Sequence, residues 1–376
     1  MTRKPKTWTI WDFPDKLYIL FNKKAHKEFF NYMFNKFGGK RPYARFLGIS
    51  QMHLKQYWSS YSKKGGKKYI QYIQLKILKK SCTSRKLEKV IEQGIVKIRV
   101  RAGKPIANPK LRIKESPELY RIVAHLIGDG FAGDIKVPYY SNTYKELRYQ
   151  FKKDLQIFGK IKTYERTPNT VTCLMFPKPI SDILRHIFKI EFIRPTKLPK
   201  EIFSASDKCK GAFLQALFDD EGCISTSLAL AMSNQNLVNE IKYLIESLGI
   251  KTNGVYKSRT QNMFTLQIKR PYYHIFMSRI GFLHPSKSKN LGLALKTNER
   301  YFTKRARPLE ESRSDIIKIL RTKPSSTLDL ANKLLFTMPG LYPHLRYLER
   351  KGKIIRTRDQ NRITWGINHG RIQEQI

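Results

Sequence analysis

Ile122-Val-Ala-His-Leu-Ile-Gly-Asp129-Gly130 and Leu214-Gln-Ala-Leu-Phe-Asp-Asp-Glu221-Gly222 read as two copies of one pattern, an apolar helix that ends in an acid followed by glycine. Glycine suits the residue just past a helix end, where the backbone turns left-handed without a Cβ penalty. Each acid is then expected in the last turn, projected off the helix tip. A carboxylate there faces the negative end of the helix dipole. That is poor for stability, which favours a functional reason for the acid, and a divalent cation would relieve the repulsion. Ala124 and Gly128, four residues apart, share one helix face, and Ala216 and Asp220 hold the same places in the second copy. Small residues there let two helices approach backbone to backbone, which would bring Asp129 and Glu221 together.

The 376 residues, 41% of them hydrophobic, suffice for two or three domains with their own cores. Lys plus Arg number 73 against 29 Asp plus Glu, a net charge of +44. A compact chain so charged repels itself unless a polyanion sits on it, and nucleic acid is the leading partner. Membrane-surface binders concentrate basic charge in short segments or one amphipathic helix, whereas here it runs from Arg3 to Arg371. Four scattered cysteines, Cys82, Cys173, Cys209 and Cys223, form neither a disulfide framework nor a zinc pattern. We therefore expect an intracellular protein, cytoplasmic or nucleoid-associated, with no membrane segment.

Residues 1–110 read as helix-rich, basic and aromatic. Within Arg41-Pro-Tyr-Ala-Arg-Phe-Leu-Gly48-Ile-Ser50-Gln-Met-His-Leu-Lys-Gln-Tyr-Trp58, Ala44 allows close helix packing, Gly48 makes a turn and Ser50 can cap a second helix. The spacing resembles the helix-turn-helix of repressor-like DNA-binding domains. That resemblance makes Gln51, His53, Lys55 and Gln56 the exposed base readers. Lys63 to Lys68 reads as a basic loop, and Arg99 to Lys110 as a linker.

From residue 118 to 300 the chain repeats itself. Asp129 and Glu221 stand 221 − 129 = 92 positions apart, as do Ser141-Asn142 and Ser233-Asn234. Phe192-Ile-Arg-Pro-Thr-Lys197 matches Phe282-Leu-His-Pro-Ser-Lys287 at 90, as Gly159 does Gly249. Two structural copies follow, about 118–205 and 206–300. In each, alternation and β-branched content predict helix, two strands, helix, two strands, helix. Lys160, Lys162, Tyr164 and Arg166 are expected on one sheet face, and Gln261, Gln267 and Lys269 on its counterpart, together a cationic saddle for a duplex. Beyond residue 306, three helices and a basic hairpin resemble a winged helix, with Leu341 to Arg350 as its recognition helix.

The two motifs, their separation and the repeat resemble the LAGLIDADG homing endonucleases of the two-motif, monomeric type. The fold this implies is α+β: a pseudo-symmetric, duplicated αββαββα core over residues 111–305, flanked by an all-α helix-turn-helix domain and a winged-helix domain at 306–376. The resemblance also implies that Asp129 and Glu221 are catalytic and bind Mg²⁺ or Mn²⁺ at the centre of a saddle for double-stranded DNA, in a chain that works as a monomer. Lys197 and Lys287 are candidates for cations near the scissile phosphates. Asp220 departs from the family, which normally packs a small residue at the helix crossing; a carboxylate there is costly unless paired or turned outward.

Three functions follow: a metal-dependent double-strand DNA endonuclease, a non-cleaving transcription regulator that keeps the endonuclease scaffold, and an intron RNA maturase. The maturase, the least favoured of the three, is separated by competition between duplex DNA and structured RNA, since A-form RNA hides its major groove from a reading helix.

Overall fold

The computed structural model describes residues 5–59, 69–82, 84–101, 103–133, 136–168, 170–225, 227–258, 262–303, 309–334, 336, 338–359 and 362–368. The fold is α+β, and the chain forms two compact units. One holds the residues up to Glu221 together with Asn239–Leu244; the other holds Gly222–Val238 and Ile245 onward.

The first unit opens on the N-terminal module. Asn22 accepts from the Ala25 amide at 2.9 Å and starts the helix Lys23–Lys36, which buries Ala25, Phe29, Phe30 and Met33 at helical spacing. Helices Lys40–Phe46 and Gln51–Trp58 follow, with the turn made at Gly48, whose φ is +65°. The Ser50 hydroxyl accepts from the His53 amide at 3.1 Å, and Leu54 points inward. The helix pair is therefore where its residues predict it. An all-α module is not: four antiparallel strands run in the order Ile70–Gln71, Tyr18–Phe21, Ile95–Arg99, Ile106–Ala107. The stretch Ile95-Val96-Lys97-Ile98, with three β-branched residues, supplies the third strand, and Ile106, inside the expected linker, pairs with Ile98 at the sheet edge. The basic stretch 63–68 lies outside the described residues.

The first repeat copy follows in the same unit. Ser116 accepts from the Leu119 amide, and Pro117, which has no N–H to lose, starts the helix Pro117–Ile127. Strands Gly130–Phe131, Tyr139–Ser141, Cys173–Met175 and Tyr164–Arg166 form one antiparallel sheet in that spatial order. Helices Lys145–Asp154 and Lys178–Phe188 complete the copy. Register puts Tyr140 level with Leu174, both buried, while Tyr139, Met175 and Tyr164 lie level on the other face. The second motif helix, Asp207–Glu221, packs on the first as the most extensive helix pairing in the unit.

The second unit carries strands Gly222–Ile224, Leu228–Met232, Phe264–Gln267 and Tyr256–Lys257 in the same first, second, fourth, third order. One strand order in two sheets is the structural form of the duplication. The second motif helix's turn into its first strand, and the helices Gln235–Ser247 and Tyr273–Arg279, continue the equivalence. The C-terminal part of this unit runs helix Leu309–Thr322, strand Ser325–Ser326, helices Thr327–Leu334 and Met338–Arg350, then the hairpin Ile354–Asp359 with Arg362–Ile367. The short first strand pairs with the last and was not legible in its two serines. Trp365, 1% exposed, fills the core against Leu330, Leu345 and Ile316, and its indole N–H donates to Thr327 Oγ1 at 2.9 Å.

Candidate functional site

The two motif glycines are not left-handed caps. Neither Gly130 nor Gly222 has positive φ, and both begin strands. A Cβ on Gly130 would lie 2.5 Å from Leu126 Cα and 2.8 Å from the His125 carbonyl oxygen, so close backbone approach is what requires glycine there. The first helix stops at Ile127, two residues short of Asp129, whereas the second runs through Glu221.

Where the helices cross, the residues immediately before the two acids touch. A Cβ built on Gly128 would lie 3.0 Å from both Cβ and Oδ2 of Asp220. Asp129 and Glu221 are each one residue, about 3.8 Å of backbone, beyond this contact. Asp129 is exposed and Glu221 half-buried. Ala124 and Ala216 are both fully buried, as helix-interface positions require.

Asp220 is paired. Its side chain has no exposure, its Oδ2 lies 2.8 Å from His125 Nδ1, and its Oδ1 accepts from the Tyr140 hydroxyl at 2.7 Å. Burial pulls the His125 pKa down, but Asp220, with Asp219 and Asp154 behind it, outweighs burial and raises it above 6.5. The same desolvation and the Asp220 charge push the Tyr140 hydroxyl far above its usual range, so it stays a donor. The ring centroid of Tyr140 lies 4.5 Å from that of His125, and the centroid of Phe151, nearly perpendicular to the imidazole, lies 5.7 Å away. His125 Nε2 is buried with no hydrogen-bond partner among the described residues.

From Tyr140 the network continues outward. Asn142 Nδ2 donates to the Tyr140 oxygen at 3.2 Å and to Asp129 Oδ2 at 3.4 Å. Asn142 Oδ1 accepts from the Tyr144 amide at 3.0 Å, which fixes the side chain in an Asx turn. Neither Asn142 nor Tyr140 was marked as functional by the sequence. The only signal was the paired Ser141-Asn142 and Ser233-Asn234, which had served to set the repeat.

Several expected positions fall elsewhere. Lys160 and Lys162 precede the strand, which holds only Tyr164 and Arg166 of the four. Lys160 instead bridges to Ala107, because Gly159, at φ +133°, seats its backbone against Ala107 to Pro109, where a Cβ would lie 2.7 Å from the Asn108 carbonyl oxygen. Tyr164 carries cations on its ring, Lys104 Nζ at 3.6 Å and the Arg166 guanidinium at 5.5 Å. In the second sheet Gln267 is in the strand and donates to the Tyr256 hydroxyl at 2.7 Å; Lys269 lies beyond the strand end, and Gln261 lies outside the described residues. The matched Lys197 and Lys287 differ locally. Lys197 is exposed in coil, while Lys287 is half-buried in the first turn of the helix Pro285–Thr303, near enough to Cys223 to offset part of the upward push of burial on that thiol.

Gln51, His53, Lys55 and Gln56 are all exposed on the helix that Leu54 anchors. A second basic surface was not foreseen. Arg85 and Lys89, one turn apart on the helix Arg85–Gln93, line a groove with Lys110 and Arg112. The acids in it are engaged: Glu88 accepts from Lys79 Nζ and Glu92 from the Trp11 indole, each at 2.6 Å.

Among the described residues no three His, Cys, Asp or Glu side chains cluster to hold a metal ion by themselves, and no helix is long and apolar enough to cross a membrane. Residues 208–281 match the family model described as a LAGLIDADG-like domain. A DNA polymerase of Thermococcus aggregans is 24% identical over 165 residues, which are 39% of this chain and 9% of that polymerase. Among solved structures, the homing endonuclease I-DmoI in complex with DNA and Mn is 14% identical, with 44% of this chain and 96% of that chain covered at a TM-score of 0.35. Full-length DUF199/WhiA from Thermatoga maritima is 13% identical, with 63% and 92% covered at a TM-score of 0.34. The motif pair, the repeated strand order and the match over residues 208–281 identify a chain that carries a LAGLIDADG-like domain.

Proposed function

We propose that the chain is a site-specific, double-strand DNA homing endonuclease whose Asp129 and Glu221 hold Mg²⁺ or Mn²⁺ over the duplex. The observation that carries this reading is the contact between Gly128 and Asp220, one residue before each acid at the helix crossing. A set of two carboxylates fits the ion, because Mg²⁺ binds through one or two carboxylates and completes its octahedron with water and substrate phosphate. When bound, the ion would supply the activation of a water and the neutralisation of charge on the leaving oxygen. The protein's own part is to present the acids, orient them and anchor the duplex. Arg85, Lys89, Lys110 and Arg112 suit the phosphate backbone, and the net charge of +44 suits a long footprint. On this reading residues 1–110, 111–305 and 306–376 act as three modules of a monomer, and the terminal two widen the contact.

A second reading, a non-cleaving transcription regulator on the same scaffold, is favoured by one observation: the four exposed side chains Gln51, His53, Lys55 and Gln56 sit on a properly capped second helix. The test is selection of bound sequences from random duplexes, followed by incubation of the selected duplex with Mg²⁺. The endonuclease reading expects cutting that is lost in Asp129→Ala and in Glu221→Gln. Tight, specific binding without cutting at any metal concentration would favour the regulator.

A further inference from the structure

The two acids are equivalent in sequence, but their surroundings are not. At the 92-residue offset His125 corresponds to Leu217, Gly128 to Asp220 and Tyr140 to Met232. Each half thus contributes what the other lacks, and together they build one buried polar cluster on the first copy's side. The equivalent asparagines also diverge. Asn234 spends its side-chain oxygen on the Leu237 amide, at 3.0 Å, as the cap of the helix Gln235–Ser247. Asn142 caps no helix, for the next one starts from Tyr144, and its amide nitrogen is turned to Asp129.

Resting on the proposed endonuclease reading, we infer that Asn142 is a positioning residue for Asp129, held in place by a chain that runs His125, Asp220, Tyr140, Asn142 across the helix crossing. The links measure 2.8, 2.7 and 3.2 Å, and the last step to the Asp129 carboxylate is 3.4 Å. Every member before Asp129 is buried: His125 and Tyr140 completely, Asn142 to 9% exposure, and Asp220 with a fully buried side chain. The geometry fixes the donor sense. Tyr140 donates to Asp220, the Tyr140 oxygen accepts from Asn142, and the same amide nitrogen, which carries two hydrogens, has one left for Asp129. The amide orientation is set independently by the Tyr144 amide, which needs an acceptor at Oδ1. Asp129 is exposed and lies past the helix end, where the Asn142 amide reaches its carboxylate. The amide engages the carboxylate from the side of the buried network, as groups behind a metal ligand generally do. The first acid is therefore pre-aimed from behind, and among the described residues Asn234 does not repeat this asparagine route in the second copy.

The test is Mn²⁺ binding to the full chain with duplex DNA present, read from the free-ion resonance signal, beside melting temperature and DNA affinity in chelator. Asn142→Ser keeps a side-chain oxygen for the Tyr144 amide but cannot reach Asp129. We expect its Mn²⁺ affinity to fall by about 10- to 100-fold, with DNA affinity in chelator unchanged. Tyr140→Phe, which cuts the chain one link back, is expected to fall between it and the native protein. Asn234→Ser should leave Mn²⁺ affinity as it is. Asp129→Ala separates the two levels of argument. If it abolishes Mn²⁺ binding while Asn142→Ser binds as the native chain does, the positioning role is overturned and the metal reading stands. If Asp129→Ala itself binds Mn²⁺ normally, both fall.

Discussion

Asp220 of the second motif helix and His125 of the first lie with Oδ2 and Nδ1 2.8 Å apart, and neither side chain has any exposure to solvent. A carboxylate that sequence comparison within the motif marks as out of place is thus one half of a bridge between the two helices. Removing one partner of a buried pair leaves the other uncompensated, at a cost of about 3–5 kcal/mol, whereas replacing both with apolar groups is often neutral. Asp220→Ala alone should therefore destabilise the protein strongly. His125→Leu with Asp220→Ala, which restores the leucine seen at position 217 and a small residue at the crossing, should recover most of the loss. Urea unfolding of the two single variants and the double variant measures the coupling; additive losses would refute it.

The charge state of His125 gives a pH signature. Its folded pKa is raised above 6.5 by Asp220, so the stabilisation it contributes is fully present below about pH 6.5 and is lost as pH rises through the raised folded value. The gap in melting temperature between the native protein and His125→Gln should be widest near pH 6 and narrow towards alkaline pH. A gap that widens with pH would mean that the imidazole is neutral in the folded state.

Gly128 is required by space and not by backbone angle, since its φ is −78°. An alanine there meets Asp220 Cβ and Oδ2 at 3.0 Å, and Asp220 cannot yield because His125 and Tyr140 both hold it. Gly128→Ala should cost about 1–3 kcal/mol as an overpacked site. Calorimetry of Gly128→Ala, with and without Asp220→Ala, checks it: the second change should relieve the first.

The groove formed by Arg85, Lys89, Lys110 and Arg112 predicts phosphate contacts. Each alanine substitution should weaken DNA binding about uniformly across sequences and reduce the slope of log affinity against log salt by about 1. Gln51→Ala, by contrast, should change which sequence is preferred and leave the slope alone. Filter binding at several salt concentrations separates the two classes.

The sequence by itself determined the duplication, the two motif helices and the basic character of the chain, because apolar periodicity, a repeated offset and net charge are properties of residue order alone. It also placed the Gly48 turn and the Ser50 cap, which rest on single-residue backbone chemistry. What only the tertiary structure decided is everything that depends on which side chains meet across long stretches of chain. His125 and Asp220 stand 95 residues apart and Tyr140 and Asp220 stand 80 apart, so a lone histidine in an apolar helix and a misplaced aspartate carried no sign of one another until the helices crossed. The same reason explains the motif glycines, whose need for space comes from a strand folding back on its helix, and Lys160, drawn off the expected sheet face by a backbone bridge to Ala107.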